Sequence, residues 1–208
     1  GCVCSVVRGG GLKIADASPM NGPGGGTCMP QNPSNIDLSS LNGTNGFELS
    51  GAAAGNGNGF SVASVGDLNG DGIADFVVGA PSVAGSAGAS YVVFGKTIGF
   101  ASNLDLSSLD GTNGFKLSGA ATGDNSGFSV AAAGDVNGDG IDDLIVGGPV
   151  AGPHGTLSGA SYVVFGHTGG FASTINVSSL NGSNGFKLSG VAAGDNSGWS
   201  VASAGDVN

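Results

Sequence analysis

The feature that most constrains this chain is an internal repeat that runs through most of its length. The segment GFSVASVGDLNGDG at 59–72 returns as GFSVAAAGDVNGDG at 127–140, and its first part returns as GWSVASAGDVN at 198–208. The offset is 68 residues between the first two copies and 71 residues between the second and the third. Because one such repeat buries little apolar surface alone, the pattern predicts similar units packed side by side.

Each repeat is predicted to contain four short strands. Residues 59–65 alternate apolar and small side chains with a period of two, which is typical of a strand with one buried face. Residues 75–79 (DFVVG) are continuously apolar and fit a strand that is covered on both faces. The segments YVVFG at 91–95 and FKLSG at 115–119 supply the third and fourth strands. The sequence therefore predicts an all-β fold of four-stranded antiparallel blades of a β-propeller, in which radial repetition shields the strand edges.

The strand count predicts an incomplete ring of about two full blades plus partial ones. We expect a Cys- and Gly-rich N-terminal segment at 1–35, followed by the repeats at 36–208. The predicted units within the repeats are two full blades and the start of a third, at about 59–119, at about 127–190 and from 198.

Isolated pieces of blades flank the two full ones. The segment 46–51 is predicted to be a lone fourth strand, and 198–204 a lone first strand. Residues 3–9 weakly resemble the third-strand segment SYVVFG. Two blades alone leave strand edges unpaired, so either the chain is part of a longer propeller or copies of it complete one another. The interruption of the third repeat at Asn208 favours a part of a longer protein.

Composition excludes several other classes of protein. Glycine provides 44 residues, charged residues only 10%, and the formal net charge is −10 with 5 Lys and Arg in total. Such a chain lacks the basic face that nucleic-acid binding requires. No run approaches the roughly 20 apolar residues of a membrane-spanning helix, so we expect no membrane span.

Acidic residues are concentrated in a D-x-N-x-D-G-x-x-D loop after the first strand of each repeat. Oxygen-bearing side chains at positions 1, 3 and 5 converge when the chain turns sharply at the glycine in position 6. A main-chain carbonyl at position 7 and the aspartate at position 9 add further oxygen ligands, a donor set that suits Ca²⁺ better than Zn²⁺, which prefers Cys and His. The predicted calcium ligands are Asp67, Asn69, Asp71, Ile73 and Asp75 in the first loop, Asp135, Asn137, Asp139, Ile141 and Asp143 in the second, and Asp206 and Asn208 in the third.

These loops have two other interpretations. An isolated D-x-N-x-D-G segment is also an Asx-rich turn, but two full copies in register with a repeat favour a metal. An EF-hand requires a glutamate at position 12 and flanking helices, whereas position 12 here is Val78 or Val146 inside an apolar β run. We therefore predict structural calcium sites, and removal of the metal by a chelator should loosen the blades.

All three cysteines, Cys2, Cys4 and Cys28, lie in the N-terminal segment. An odd number of cysteines in an exported chain suggests one disulfide and one free thiol. Because Cys2 and Cys4 are so close in the sequence, we expect Cys28 to pair with one of them. A metal site is the alternative, although neither a histidine nor a fourth cysteine lies nearby in the sequence.

Three N-x-[ST] sequons precede the predicted fourth strands and make Asn42, Asn176 and Asn181 candidates for glycosylation. Asn-Gly is also a frequent turn dipeptide, so a turn without a glycan is the alternative interpretation.

The order of strand, acidic loop, apolar strand and G-A-P resembles the FG-GAP repeat of the integrin α-subunit β-propeller and its bacterial relatives. The apolar strands end in VVGAP at 77–81 and IVGGP at 145–149, and the resemblance covers roughly residues 36–208. The chain departs from the family pattern where Phe-Gly is reversed to Gly59-Phe60. The resemblance implies a propeller with bound calcium and an extracellular or cell-surface location.

Together, the repeat, the loops and the resemblance predict a calcium-binding extracellular protein that serves as an adhesion or structural scaffold module, with a protein or glycan surface ligand as its partner. One alternative is a subunit of an extracellular filament, in which copies of the chain complete one another by sharing strands. Another alternative, which the resemblance allows, is the non-catalytic propeller of a secreted hydrolase. The sequence contains neither a repeated Ser-His-Asp set nor a phosphate-binding G-x-x-x-x-G-K-[ST] loop, so we do not expect an enzyme.

Overall fold

The protein is described from a computed structural model, and the described residues are 2–6, 12–16, 37–43, 45–51 and 55–205. Regular structure in this part of the chain is almost entirely β-strand. The exceptions are one four-residue helical turn, Val83–Ser86, and three short 3-10 turns, Leu38–Ser40, Leu106–Ser108 and Val177–Ser179.

The strands are numbered in chain order. They are β1 (Cys2–Val6), β2 (Leu12–Asp16), β3 (Gly46–Ser50), β4 (Ser61–Gly66), β5 (Asp75–Ala80), β6 (Ala89–Val93), β7 (Asn103–Asp105), β8 (Gly114–Ser118), β9 (Ser129–Gly134), β10 (Asp143–Gly148), β11 (Ala160–Val164), β12 (Thr174–Asn176) and β13 (Gly185–Ser189).

The strands form three sheets with the same internal order. Blade 1 consists of the antiparallel strands β4, β5, β6 and β8, and blade 2 of the equivalent strands β9, β10, β11 and β13. The N-terminal sheet consists of β1, β2 and β3, also antiparallel. The prediction of an all-β fold built from four-stranded antiparallel blades is confirmed, and the described strands do not close into a ring.

Each boundary between sheets also carries a short parallel strand that the sequence analysis missed. β7, which belongs to the chain segment of blade 1, pairs in parallel with β3 of the N-terminal sheet. In the same way β12 pairs in parallel with β8 of blade 1. We call residues 102–109 (SNLDLSSL) and 173–180 (STINVSSL) the blade-linking segments, because each one joins a blade to the outer strand of the preceding sheet.

Three predictions about the flanking pieces are corrected. The segment 46–51 is not a lone strand, because β3 pairs with β2 and β2 pairs with β1. Within residues 3–9, β1 occupies the second-strand position and not the third, since β2 lies between it and β3. Residues 198–204 form no strand, because no described strand lies in position to pair with them. The boundary predicted after residue 35 stays a prediction, although β1, β2 and β3 share one sheet.

The apolar core lies between the sheets. One cluster joins Phe47 and Leu49 of the N-terminal sheet to blade 1, and the other joins blade 1 to blade 2. Val77 and Val78 are adjacent in β5 and fully buried, but they belong to different clusters because successive side chains point to opposite faces. The continuously apolar second strand is therefore explained by burial on both sides, as predicted.

Stacked phenylalanines occupy the same place in both interfaces. Phe47 stacks on Phe100 with ring centroids 4.4 Å apart, and Phe115 stacks on Phe171 at 4.5 Å. In each pair the first ring lies on a fourth strand and the second precedes a blade-linking segment. Such stacked contacts add to the stabilisation from burial alone, so these four phenylalanines are packing residues.

The glycine of the G-A-P segment is required by close approach of the next blade. A Cβ atom at Gly79 would collide with the carbonyl oxygen of Gly127, and one at Gly147 with the carbonyl oxygen of Gly198. Gly127 lies just before the first strand of blade 2, and Gly198 has the equivalent place in the next repeat of the sequence. Ser61 and Ser129 strengthen these approaches, since their hydroxyls donate to the same two carbonyls at 3.0 and 2.8 Å.

We expect Gly147→Ala to destabilise the protein and the adjacent Gly148→Ala to leave it almost unchanged. A Cβ atom added at Gly148 would have its nearest neighbour atom at 3.3 Å, and the equivalent residue in blade 1 is Ala80. Forcing the collision at Gly147 should cost about 1–3 kcal/mol, or roughly 2–12 °C in Tm for a chain of this size. Thermal unfolding followed by circular dichroism measures both variants, and equal Tm values would refute the close-approach argument.

Candidate metal sites

The two complete acidic loops connect the first and second strands of their blades. The first loop follows β4 and ends at Asp75, and the second follows β9 and ends at Asp143. Each loop begins after a glycine with a left-handed backbone, Gly66 at φ 72° and Gly134 at φ 75°. The strand pairing also shifts by one residue next to each loop. The aspartate at position 1 therefore starts a sharp change in chain direction.

In the first loop the side chains at positions 1, 3 and 5 turn inward onto the loop backbone. Asp67 accepts hydrogen bonds from the backbone N–H groups of Asp71 at 3.0 Å and Gly72 at 2.7 Å. Asn69 Oδ1 accepts from the same Asp71 N–H at 3.0 Å, and Asn69 Nδ2 donates to Asp71 Oδ2 at 3.0 Å. The oxygens at positions 1 and 3 therefore converge on one N–H group, and the carboxylate at position 5 lies beside them.

The second loop repeats this network. Asp135 accepts from the backbone N–H groups of Asp139 at 3.1 Å and Gly140 at 2.8 Å. Asn137 Oδ1 accepts from the Asp139 N–H at 3.0 Å, and its Nδ2 donates to Asp139 Oδ2 at 2.9 Å. The carboxylate at position 5 accepts from the N–H of Ile141 at 2.9 Å, as Asp71 does from Ile73 at 2.8 Å in the first loop. Two separated sequences thus fold into the same acidic turn.

The aspartate at position 9 is buried and holds the loop against the third strand. Asp75 is 1% exposed and accepts from the backbone N–H groups of Leu68 at 3.0 Å and Gly95 at 2.8 Å. Asp143 is 0% exposed and makes the equivalent bonds to Val136 at 2.7 Å and Gly166 at 2.9 Å. Position 9 therefore connects the loop to the backbone just beyond the end of the third strand in each blade.

Burial makes the charge on these carboxylates costly. Loss of solvation raises the pKa of Asp75 to about 6, and repulsion from Asp71 and Asp67 acts in the same direction, while the two backbone donors oppose it. Burial likewise raises the pKa of Asp143, with repulsion from Asp139 adding to it. Each loop therefore concentrates negative charge around a carboxylate that has little water to stabilise it.

The chemistry of the donors fits a hard cation, although the ligand set stays a prediction. Carboxylate, amide and carbonyl oxygens are what Ca²⁺ prefers, and a carboxylate oxygen that accepts one hydrogen bond keeps a second lone pair. Among the described residues, no group of three or more His, Cys, Asp or Glu side chains is arranged closely enough to hold a metal ion. The structure brings positions 1, 3 and 5 together and turns position 9 toward backbone donors. Asp206 and Asn208 lie outside the described residues.

Asp142, which is not among the predicted ligands, links the two loops. Its Oδ2 accepts from the backbone N–H of Asp67 at 2.9 Å, and the N–H of His167 donates to the carbonyl of Leu68 at 3.0 Å. Blade 2 thus supports the first loop, whose Asp67 is half-buried, whereas the equivalent Asp135 is exposed. The signal in the sequence is the doubled Asp at 142–143, where the first repeat has Ala before Asp75.

The three sequon asparagines hold turns. Asn176 Oδ1 accepts from the N–H of Ser178 at 2.8 Å, and Asn181 Oδ1 accepts from the N–H of Ser183 at 3.0 Å. Asn42 Oδ1 accepts from the N–H of Asn45 at 3.3 Å. Glycosylation of Asn42, Asn176 and Asn181 stays a prediction, and these bonds favour the alternative that their side chains are turn formers.

The cysteine predictions are not tested by the structure. Cys2 and Cys4 lie in β1, and Cys28 lies outside the described residues. A disulfide from Cys28 to one of the other two stays a prediction.

We expect Asn181→Asp to preserve stability and Asn181→Ala to reduce it. The equivalent residue in the preceding repeat is Asp110, which accepts from Thr112 through the same two bonds, so the turn uses only the side-chain oxygen. Loss of that acceptor should cost about 1 kcal/mol, as at a helix cap. Urea denaturation of the two variants measures this difference. A destabilised Asn181→Asp variant would show instead that the amide group is needed.

Comparison with known proteins agrees with the blades that the structure defines. The two full sheets, each with an acidic loop between its first two strands, define blades of the β-propeller type. A protein-family model of the FG-GAP repeat matches residues 58–93 and 126–164, which span the first three strands of each blade. The family model therefore matches both full blades, in line with the resemblance. No curated protein matches it. None of the helices among the described residues is long and apolar enough to cross a membrane.

Proposed function

We propose that this chain is a calcium-stabilised FG-GAP module that works outside the cell or at its surface as an adhesion or structural scaffold. The observation that carries the proposal is that both acidic loops adopt the same network of inward-facing oxygens. Turns that served only to reverse the chain would not need three carboxylates each, because like charges at this spacing repel one another.

Calcium would relieve the electrostatic cost of these loops. Asp67, Asp71 and Asp75 in the first loop, or their equivalents in the second, would supply the oxygens, and the cation would offset the repulsion around the buried carboxylate at position 9. Because each loop joins the first two strands of a blade and position 9 reaches the third, a bound ion would stabilise the whole sheet. The role proposed for the metal is structural, and no catalysis is assigned to it.

Two features support an extracellular role. FG-GAP repeats are typical of extracellular proteins, and extracellular calcium-binding modules hold Ca²⁺ through carboxylate and carbonyl oxygens like those of these loops. The formal net charge of −10 favours solubility and disfavours binding to nucleic acid. The proposed partner is a protein or a glycan on a surface, recognised by loops that a rigid propeller scaffold displays.

A second candidate function is a filament subunit, in which copies of the chain share strands. One observation favours it over the propeller of a secreted hydrolase: Leu188 on β13 is 49% exposed, whereas its equivalents Leu49 and Leu117 are fully buried. An apolar face of this kind at the outside of a blade calls for a covering surface.

We expect Ca²⁺ to raise the thermal stability of the chain, and the Asp71→Ala/Asp139→Ala double variant to lose most of that effect. Saturating calcium should contribute about 2 kcal/mol per site, or roughly 4–8 °C in Tm from one loop. Differential scanning calorimetry with calcium, magnesium or a chelator measures the shift.

The control is Asp195→Asn, which removes a carboxylate outside both loops and should respond to calcium like the unmodified chain. Without calcium, the double variant loses repulsive charges but also loses the acceptors for the N–H groups of Ile73 and Ile141, so the calcium-dependent shift in Tm is the quantity compared. Equal Tm values with calcium and with the chelator would refute the proposal.

A further inference from the structure

We propose that copies of this chain associate end to end, with the N-terminal sheet of one copy packing on the uncovered face of blade 2 of another. This inference names the interface of the second candidate function and rests on it. The same kind of interface between sheets occurs twice within the chain. One of its two surfaces is also found uncovered on blade 2, and the other is found on the N-terminal sheet.

The interface inside the chain is built in the same way both times. A blade-linking segment lays its parallel strand along the fourth strand of the preceding sheet, so that Leu104 is opposite Leu49 and Ile175 is opposite Leu117. A backbone bond accompanies each pairing, from the N–H of Glu48 or Lys116 to the carbonyl of the serine that precedes the parallel strand, at 2.8 and 2.9 Å. Each time, the leucine of the fourth strand becomes fully buried.

Blade 2 presents the same surface without its cover. Leu188 occupies the position of Leu49 and Leu117, but 49% of it is exposed. β13 is an edge strand, and no strand in the described part of the chain pairs with its outer side. We call Phe186 and Leu188, which lie on one side of β13, the open face. Continuity with the two internal interfaces indicates that the open face accepts another blade-linking segment.

The chain just before β3 carries the sequence of such a segment. Residues 34–41 (SNIDLSSL) match the first blade-linking segment at seven of eight positions and the second at five of eight. Asp37 caps the following 3-10 turn through the N–H of Ser39 at 2.9 Å, as Asp105 does through Ser107 at 2.8 Å. Leu38 is only half-buried, whereas its equivalent Leu106 is 2% exposed.

The same contact would complete the N-terminal sheet. That sheet has strands in the second, third and fourth positions, and no described strand pairs with the outer edge of β1. Residues 198–205 repeat the first-strand sequence and lie beside β9, where Ser203 Oγ donates to the carbonyl of Ala133 at 3.3 Å, yet they have no partner strand among the described residues. Placed along β1 of another copy, they would give a four-stranded blade by strand addition.

An aromatic row across the blades fits this arrangement. Phe60 and Phe128 have ring centroids 4.8 Å apart, and Phe128 and Trp199 are also 4.8 Å apart, with one ring contributed by each successive repeat. The outer members are exposed, Phe60 by 57% and Trp199 by 60%. End-to-end association would place Trp199 of one copy on Phe60 of another and continue the row across the interface.

Because the two surfaces differ, the contact is heterologous. Each copy offers one surface to a neighbour on one side and the other surface to a neighbour on the other side, which produces a closed ring or an open filament. A copy in which one surface is disabled should still bind through the other, and this property provides the test.

The experiment compares the unmodified chain with Leu188→Asp, which disables the open face, and with Leu38→Asp, which disables the surface at residues 34–41 that would cover it. We expect the unmodified chain to form multimers in sedimentation velocity runs at about 10–100 μM, and each variant to associate at least about 100-fold more weakly. Because both leucines are partly exposed, the variants should remain folded. Trp199 is the only tryptophan, so its emission should shift to shorter wavelength in the multimers and not in the variants.

A mixture of the two variants is the most specific measurement. One intact surface remains on each, so an equimolar mixture should form dimers and nothing larger, while each variant alone stays monomeric. Exposed Ile98 lies outside the open face and residues 34–41, and Ile98→Asp serves as the control that should assemble like the unmodified chain.

Several results would overturn the inference. The first is an unmodified chain that stays monomeric, and the second is multimers that persist in both variants. The third is a mixture of the two variants that forms no dimers. The fourth is a longer polypeptide in which an additional repeat of the same chain covers the open face. Calcium stabilisation is measured separately on the monomeric Leu188→Asp variant, so a failed interface and a failed calcium site give different results.

Discussion

Every blade of this protein depends on its neighbours for its core. The buried side chains of β5 alternate between two clusters, one shared with the N-terminal sheet and one shared with blade 2. The buried apolar side chains that stabilise the fold lie between the sheets. The sheets must therefore pack at a distance that keeps these side chains in contact. The close approach at Gly79 and Gly147 and the stacked phenylalanines follow from it.

Much of the architecture was accessible from the sequence because the repeat aligns strands with one another. The four strands of each blade and the burial of both faces of β5 were predicted from periodicity and apolar runs. The parallel strands β7 and β12 were missed because three residues are too few to show a period, and their outer residues are polar and exposed. β2 was missed because its sequence, LKIAD, shares little with the third strands of the full blades.

The acidic loops show a different limit of sequence reasoning. The spacing predicted that positions 1, 3 and 5 converge, and hydrogen bonds around Asp67 and Asp135 hold them in this way. The spacing gave no indication that Asp75 would also bond to Gly95 beyond the end of the third strand, because that contact depends on how the sheet folds back. The contribution of Asp142 to the neighbouring loop depends in turn on how the blades pack.

Blade 1 is the only full blade that has a packed neighbour on both sides among the described residues, and this position has a consequence for the order in which the protein loses structure. In a linear array with nearest-neighbour coupling, the outer units open first and the central unit opens last. Backbone amides of β5 and β6 should then exchange with solvent deuterium most slowly, while the outer sheets fray at lower cost. The three described sheets would then lose their structure in steps, with blade 1 last, and not in one cooperative transition.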